Sequence, residues 1–413
     1  MVRFLSWVYV DDAALATAKR VINFFREKRI RDPLGVGQIT TSLSNQLFPA
    51  TSSVMTRLRY VFIVPWVYRL VESGGPSKGE KKFGETLEEA EKKLIKALSN
   101  NEDHEGVIGF VARDKVKTLP SELYWSVLRA WDIRRFRGTR NHYHRMARIL
   151  LERRSAMNER REKAKKRGEE IDPHDALSGM TWDPLLPKPP EGFPGVLGLG
   201  LTFAESEYLL NRLKAKFPDS LLCALASKVN PEVKGIGQPW EHPAFGTFSA
   251  DQRALLTQAR YLAEIMDAAY TLYHYQLAGK KNNGDLVKLC KGNFKDWLHR
   301  FPEGEILSWD VNDLWDLTIG RGHPVYPSTK AFIGRFLGFV KSNPGKLLED
   351  DRCLNLIRDR EISLKGPRSR FRNAKALEEW SGDLSATRLT FRWATVRTLL
   401  NDLYLGLGQG ALC

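Results

Sequence analysis

Three residues near the middle of the chain match the text of a metal-dependent nuclease signature. Asp219 is followed, after twelve intervening residues, by Glu232 and Lys234. In such enzymes two carboxylates share a divalent cation, and the lysine polarises the attacking water or the phosphate. The acids normally lie on adjoining strands, whereas residues 220–227 favour a helix and Pro231 disfavours a strand entering Glu232. We therefore keep a cryptic nuclease only as an alternative hypothesis.

Metal and nucleotide cofactors have weaker support. His142 and His144 are two residues apart, so on a helix their imidazoles diverge, and the adjacent Arg140 and Arg145 would repel a cation. The four cysteines form no C-x-x-C pair, and no GxxxxGK[ST] loop occurs. We expect no metal and no cofactor, and the chain is more consistent with a binding protein than with an enzyme.

The strongest chemical signal is a cluster of cations. Fifteen Lys and Arg residues lie between Arg129 and Arg167, against four acidic residues, giving +11 in this segment out of +15 for the whole chain. A second basic stretch runs from Lys365 to Lys375. The residues that we predict to contact phosphates are Arg134, Arg135, Arg137, Arg140, Arg145, Arg153 and Arg154, with Arg368, Arg370 and Arg372 as a second contact.

Such clustering is costly unless an anionic partner or solvent relieves the repulsion. A nucleic-acid backbone is the usual partner, because each neutralised phosphate releases counterions, and arginine suits phosphate geometry. An acidic protein partner and a purely solvated face remain open alternatives. An anionic membrane is disfavoured, since residues 152–167 lack a bulky apolar face.

The composition indicates a soluble globular protein. The 413 residues are 42% hydrophobic and 27% charged, which suggests two domains. The first residues lack the pattern of a signal peptide, and the longest apolar run, residues 60–68, is too short to cross a bilayer as a helix. Widely spaced cysteines are typical of reduced thiols, so we expect a cytoplasmic location.

The elements that must position these residues are helices. Capping boxes at Thr202-x-x-Glu205 and Ser249-x-x-Gln252 begin two of them. The basic segment continues as a long helix over about residues 139–168, and Pro65 predicts a kink or break in the helix that contains it. Clear strand patterns are few. The predicted fold class is mainly α and multi-helical.

A proline-rich stretch divides the chain. Six of the twenty prolines fall between residues 173 and 194, a composition typical of a semi-rigid linker or an ordered strap. We predict an N-terminal helical domain at residues 1–170, a linker at 171–197, and a C-terminal helical domain at 198–413.

The first 66 residues contain five short motifs: Leu5-Ser6-Trp7, Arg31-Asp32-Pro33-Leu34-Gly35-Val36-Gly37-Gln38-Ile39, Leu47-Phe48-Pro49-Ala50-Thr51-Ser52, Thr56-Arg57-Leu58-Arg59-Tyr60 and Pro65-Trp66. Together with Ser220-Leu-Leu and Arg392-Trp393, they resemble an uncharacterised bacterial family over most of the chain. Its members are often encoded among restriction and phage-defence genes, near helicases or nucleases. The resemblance therefore implies a subunit of a defence system and supplies no catalytic residues.

Within these motifs we assign a structural role to Asp32, Arg57 and Arg59. Arg57 and Arg59 are two residues apart, so on a helix they point to different sides. One of them is expected to pair with Asp32 and hold two helices together, while the other faces a partner.

The leading hypothesis is a non-catalytic nucleic-acid-binding subunit of a multi-protein anti-phage defence complex, with DNA expected rather than RNA. A separate helicase or nuclease would supply its activity. The first alternative is a scaffold or adaptor whose basic surface docks an acidic partner of that kind. The second is the cryptic nuclease.

Overall fold

The computed structural model describes residues 32–74, 82–100, 103–167, 180–230, 232–319, 324–384 and 388–409. Over these ranges the protein is mainly α, with fifteen α-helices and no strand, as predicted. The motif at Leu5 to Trp7, residue Arg31 and the first part of the predicted linker, residues 171–179, lie outside the described residues.

The helices of the described residues are numbered in chain order. They are α1 (Gly37–Leu47), α2 (Tyr60–Ser73), α3 (Phe83–Ser99), α4 (Pro120–Ala130), α5 (Arg140–Lys166), α6 (Phe203–Lys216), α7 (Leu221–Ala226), α8 (Ala250–Lys280), α9 (Gly284–Arg300), α10 (Glu303–Ser308), α11 (Asn312–Ile319), α12 (Pro327–Ser342), α13 (Asp351–Lys365), α14 (Ala374–Glu378) and α15 (Trp393–Gln409).

The chain forms two compact units, and their boundaries differ from the predicted domains. Among the described residues, unit 1 comprises residues 50–235 and 394–409, and unit 2 comprises residues 32–49 and 236–393. Unit 1 is therefore discontinuous in sequence, since most of unit 2 lies between its two main segments. Most of the predicted linker falls inside the first of these segments.

Helix α2 is the centre of unit 1. It packs against α3 and α4, and both of these contact α5. Residues 60–68 of α2 are all buried, which explains their continuous hydrophobic run. Of the two outcomes predicted at Pro65, a kink or a break, the break does not occur, because α2 runs through this proline to Ser73. Burial on every side offsets the one backbone hydrogen bond that a proline removes.

Residues 180–197 form an ordered strap on unit 1. Trp182, Leu186 and Leu197 are buried. The indole of Trp66 donates to the Pro187 carbonyl at 2.8 Å, and Arg69 donates to the Asp183 carbonyl at 2.7 Å. This part of the proline-rich stretch is therefore packed structure.

Helix α8 is the centre of unit 2. It is 31 residues long, most of its residues are buried, and it contacts α1, α9 and α13. Both predicted capping boxes are present, Thr202 with Glu205 at α6 and Ser249 with Gln252 at α8. No helix in the described part of the chain has the length and apolar character needed to cross a membrane.

Candidate nucleic-acid interface

Helix α5 carries most of the basic cluster and is anchored to unit 1 along one side. It has 27 residues, so it is about 40 Å long. Tyr143, Ala147 and Leu151 are buried at intervals of four residues. The Tyr143 hydroxyl donates to the buried Glu72 carboxylate at 2.5 Å. The side of the helix opposite this row faces solvent.

Arg134 is a structural residue. Its side chain is buried, with its guanidinium 4.2 Å from the centroid of the Trp125 ring. Nε and one terminal nitrogen donate to the Trp125 carbonyl, and the other donates to the carbonyls of Phe136 and Gly138. Burial lowers its pKa to about 10. These contacts use the guanidinium within unit 1, so we remove Arg134 from the predicted phosphate contacts.

Three further arginines of the predicted set bind groups within unit 1. Arg135 lies 3.6 Å from the buried Asp183 carboxylate. Arg140 donates to the Ser121 hydroxyl at 3.1 Å and pairs with Glu122. Arg154 pairs with the Glu72 carboxylate at 2.8 Å, on the inward side of α5. Each side chain is partly exposed, but the ion pairs give all three a role in holding α5 and the strap in place.

The remaining members of the first predicted set point outward. Arg137, just before α5, and Arg145 and Arg153 within it are all exposed. At 100° per residue, Arg145 lies about 160° around the helix axis from both Tyr143 and Ala147, and Arg153 lies about 160° from Leu151. Four more exposed cations share this side of the helix. We define the α5 basic face as Arg145, Arg148, Arg153, Arg160, Lys163 and Lys166.

The basic face also contains carboxylates. Glu152 pairs with Arg148 at 2.9 Å, and Glu159 is exposed on the same side. Six cations and two carboxylates leave a net +4 on this face. From Arg145 to Lys166 it extends for about 31 Å along the helix axis. The basic cluster in the sequence also contains Arg148, Arg160, Lys163 and Lys166. They are not among the predicted phosphate contacts, although their helical spacing from Arg145 places them on the same side of the helix.

A small cavity lies between α5, α2 and the strap in unit 1. Its volume is about 210 Å³, and its lining includes Arg69, Arg154, Arg161, Asn158 and Trp182. The Trp182 indole donates to Glu72 at 2.9 Å, so the carboxylate that binds Arg154 also holds this ring. Arg69 is not among the residues predicted from the sequence. It lies far from the basic cluster along the chain, and only the fold brings it to the same cavity as Arg154.

The second basic stretch belongs to unit 2. It begins at Lys365, the last residue of α13, and continues through the 3₁₀ turn Gly366–Arg368. Arg368 and Arg372 are exposed. Arg370 is partly buried and donates to the Tyr273 hydroxyl at 3.3 Å.

The nuclease candidates do not have the strand context of the signature. Asp219 is exposed between α6 and α7, where the next residue, Ser220, caps α7 through the Cys223 backbone. Glu232 and Lys234 are exposed at the 3₁₀ turn Val233–Gly235. Within the described ranges, no group of three or more His, Cys, Asp and Glu side chains is placed to hold a metal ion.

The two histidines of α5 point in different directions, as expected. His142 is exposed and contacts the Phe136 ring. His144 is half-buried, with Nε2 2.9 Å from the Tyr68 hydroxyl, and burial lowers its pKa to about 4. His144 therefore contributes to the aromatic core beside α2.

Arg57 and Arg59 are structural residues, but their partners differ from the prediction. Arg57 pairs with Asp402 at 3.0 Å, and Arg59 pairs with Glu205 at 3.0 Å, all within unit 1. In unit 2 the Asp32 carboxylate instead accepts the backbone N–H groups of residues 35–37 at 2.5–3.0 Å. The expectation that Asp32 pairs with Arg57 or Arg59 is wrong, because both oxygens of its carboxylate accept hydrogen bonds from backbone N–H groups three to five residues later.

Comparison with known proteins places the chain in a family without assigning a function. No curated protein and no solved structure matches it. One family model, described as a family of unknown function (DUF6361), matches residues 2–152 and 166–406, which is most of the chain. The chain therefore belongs to this family of unknown function.

Proposed function

We propose that the protein binds the phosphate backbone of nucleic acid through the α5 basic face and acts as a non-catalytic subunit of a cytoplasmic anti-phage defence complex. The observation that supports this best is the row of six exposed cations on one side of a helix whose other side is anchored in unit 1. DNA is the nucleic acid that we propose. A helicase or nuclease is the proposed partner that supplies chemical activity.

The geometry of the α5 basic face suits a nucleic-acid backbone. Phosphates of one DNA strand recur every 3.4 Å, so a 31 Å row of cations is about as long as nine of them. Arg145 and Arg153 keep their predicted role in this proposal, and Arg137 continues the row before the helix begins. Arg135, Arg140 and Arg154 hold α5 in position. Arg368, Arg370 and Arg372 remain the proposed second contact.

The test is a fluorescence-anisotropy titration of the full chain against single- and double-stranded DNA and RNA over a range of salt concentrations. We expect log K to fall linearly with log salt. The triple variant Arg145→Gln, Arg148→Gln, Arg153→Gln should bind DNA more weakly at low salt. The magnitude of its salt slope should be smaller by up to about 2.7, since each lost phosphate contact removes about 0.9.

A matched control distinguishes the loss of contacts at the α5 basic face from a general effect of lower net charge. Lys288, Lys291 and Lys295 are exposed cations on α9, and neutralising all three to Gln changes the net charge by the same amount. This control should keep the wild-type affinity and slope. Equal losses in both triple variants, or no binding at low salt, would contradict the proposal. In the second case, co-purification with acidic proteins encoded nearby would test the scaffold alternative.

A further inference from the structure

Four of the ten residues that line a pocket in unit 2 are cationic. The pocket has a volume of about 390 Å³, and its lining includes Lys365, Arg368, Arg370 and Lys375. This volume lies within the usual range of small-molecule sites, about 300–1,000 Å³. Unlike the convex α5 basic face, this site is a concave surface that brings several cations around one space.

The loop that carries these cations is held from beneath. Glu361 is buried, and its carboxylate accepts hydrogen bonds from the Ser369 hydroxyl and from the Arg370 backbone N–H, the latter at 3.0 Å. Gly366 has a φ of +53°, which lets the chain turn directly after α13. The positions of Arg368 and Arg370 therefore follow from a built turn with a buried anchor.

The pocket retains positive charge after its own carboxylates are counted. Glu361 and Glu379 are its two acidic lining residues, so four cations leave a net +2. Burial lowers the pKa of Lys365; among the charged groups near it, Asp32 and Glu361 raise this pKa more than Arg368 and Arg370 lower it. The surplus of two cations in the lining favours a bound anion.

Two neutral polar groups could orient a ligand. The Tyr273 hydroxyl accepts from Arg370 at 3.3 Å, which directs that guanidinium along the pocket wall. The Asn373 side chain lines the pocket as well, and its amide is held in place, because its oxygen accepts the Ala376 backbone N–H and its Nδ2 donates to the Pro367 carbonyl at 3.2 Å. The lining therefore combines a forked guanidinium, a phenol and lysines, which are the donors that bind phosphate oxygens.

We propose that this pocket binds a phosphomonoester carried on a ligand of mononucleotide size. A phosphomonoester carries about −1.5 to −2 charge at pH 7, which matches the net +2 of the lining. A backbone phosphodiester carries one negative charge and matches it less well. The same group occurs on a free nucleotide and on the 5′ end of a strand. This inference deepens the proposed function at Arg368 and Arg370 and rests on it for the choice of a nucleotide.

The experiment is isothermal titration calorimetry of the full chain with AMP and with adenosine, which lacks the phosphate. We expect AMP to bind and adenosine to show no heat of binding. Arg368→Gln should weaken AMP binding at least tenfold, while Lys291→Gln, an exposed control on α9, should change it less than twofold. Arg368 is exposed, so its replacement should leave the fold intact, and circular dichroism checks this.

A second pair of probes identifies the source of the group. A short oligonucleotide with a 5′-phosphate is compared with the same oligonucleotide carrying a 5′-hydroxyl. A preference for the phosphorylated strand that Arg368→Gln abolishes would assign the pocket to strand ends. AMP binding without this preference would assign it to free nucleotides. Both results support the pocket.

Three outcomes would overturn the inference: no binding of AMP, equal binding of adenosine, or an equal loss in the control variant. They are separable from a failure of the α5 proposal, because the triple variant at Arg145, Arg148 and Arg153 should still bind AMP normally. If wild type does not bind AMP but Arg368→Gln still binds duplex DNA, the pocket proposal is rejected and the α5 proposal is not.

Discussion

Arg57 and Asp402 are 345 positions apart in the chain, yet they form a buried ion pair in unit 1. The Arg57 Nε lies 3.0 Å from one Asp402 oxygen and 3.1 Å from the other. One of these oxygens also accepts the Leu58 backbone N–H at 2.8 Å. The pair attaches α15 to the segment that enters α2, so it ties the second part of unit 1 to the first.

Removing the charge of Asp402 should destabilise the protein strongly. Asp402→Asn leaves the Arg57 guanidinium buried without its main counter-charge, which typically costs about 3–5 kcal/mol. Arg57 also pairs with Asp103 at 3.2 Å, but the Asp103 side chain is 63% exposed. The matched variant Asp103→Asn should therefore cost less than about 1 kcal/mol. Urea unfolding of both variants measures the difference, and equal losses would contradict the ranking.

Arg134 should affect stability, whereas its neighbour Arg137 should not. Arg134→Ala exposes the Trp125 ring, removes the guanidinium donors to the Trp125 and Phe136 carbonyls, and leaves the Gly138 carbonyl with only the Trp125 indole as donor, so we expect a loss on the order of 3 kcal/mol. Arg137 is exposed, and Arg137→Ala should stay within about 0.5 kcal/mol. Urea unfolding gives both values. A small loss for Arg134→Ala would show that its buried contacts contribute little.

The Arg59–Glu205 pair and the α6 cap can be separated by mutation. The Glu205 carboxylate binds Arg59 with one oxygen and accepts the Thr202 backbone N–H with the other, at 2.9 Å. Glu205→Gln keeps an acceptor for the cap but removes the counter-charge of a buried arginine, at a cost of about 3 kcal/mol. Thr202→Ala removes only the hydroxyl cap and should cost about 1 kcal/mol. The reverse order in urea unfolding would contradict this assignment.

Glu91 should make stability fall as pH rises. Burial raises its pKa to about 7 from the usual 4.5, although Ser121 donates to both of its oxygens at 2.8 Å. Between these values the folded state binds more protons than the unfolded state. The contribution of Glu91 is therefore fully present below pH 4.5 and is lost as pH rises to 7, by about 3 kcal/mol in total.

The Glu91 effect is measured as a difference between two proteins. His144 and His274, whose pKa values burial lowers to about 4, titrate with the opposite sign between pH 4 and 6.5. Their contribution is common to wild type and Glu91→Gln and cancels when the two free energies of unfolding are subtracted. The free energy of unfolding of wild type minus that of Glu91→Gln should fall as the pH rises from 4 to 8. Parallel pH profiles would contradict the assigned pKa.

Local patterns predicted the helices well, because helix formation depends on neighbours three or four residues away. The capping boxes at Thr202 and Ser249 show this, since each hydroxyl accepts the backbone N–H three residues later. Pro65 shows the limit of local reasoning. Whether a proline ends a helix depends on the packing around it, and that packing comes from distant parts of unit 1.

The segment that contains the candidate interface could be predicted from the sequence, but which of its arginines face solvent and which bind inside unit 1 could not. The charge count indicated the segment that contains α5, whereas Arg134 and Arg154 were grouped with Arg145 and Arg153. Tyr143, Ala147 and Leu151 form a weak apolar row, and Arg154 lies beside its continuation. Only Glu72, 82 positions earlier in the chain, shows that Arg154 binds inward. Ion pairs of this range carry no local signal.

The interruption of unit 1 by unit 2 has a consequence for synthesis on the ribosome. At about 5–20 residues per second, Arg57 is polymerised roughly 17–70 s before Asp402. Through that interval the nascent unit 1 has a guanidinium destined for burial and no α15 to pair with it. Chains that stop after unit 2 would carry the whole α5 basic face on an incomplete core, and such products are the natural targets of cellular proteases.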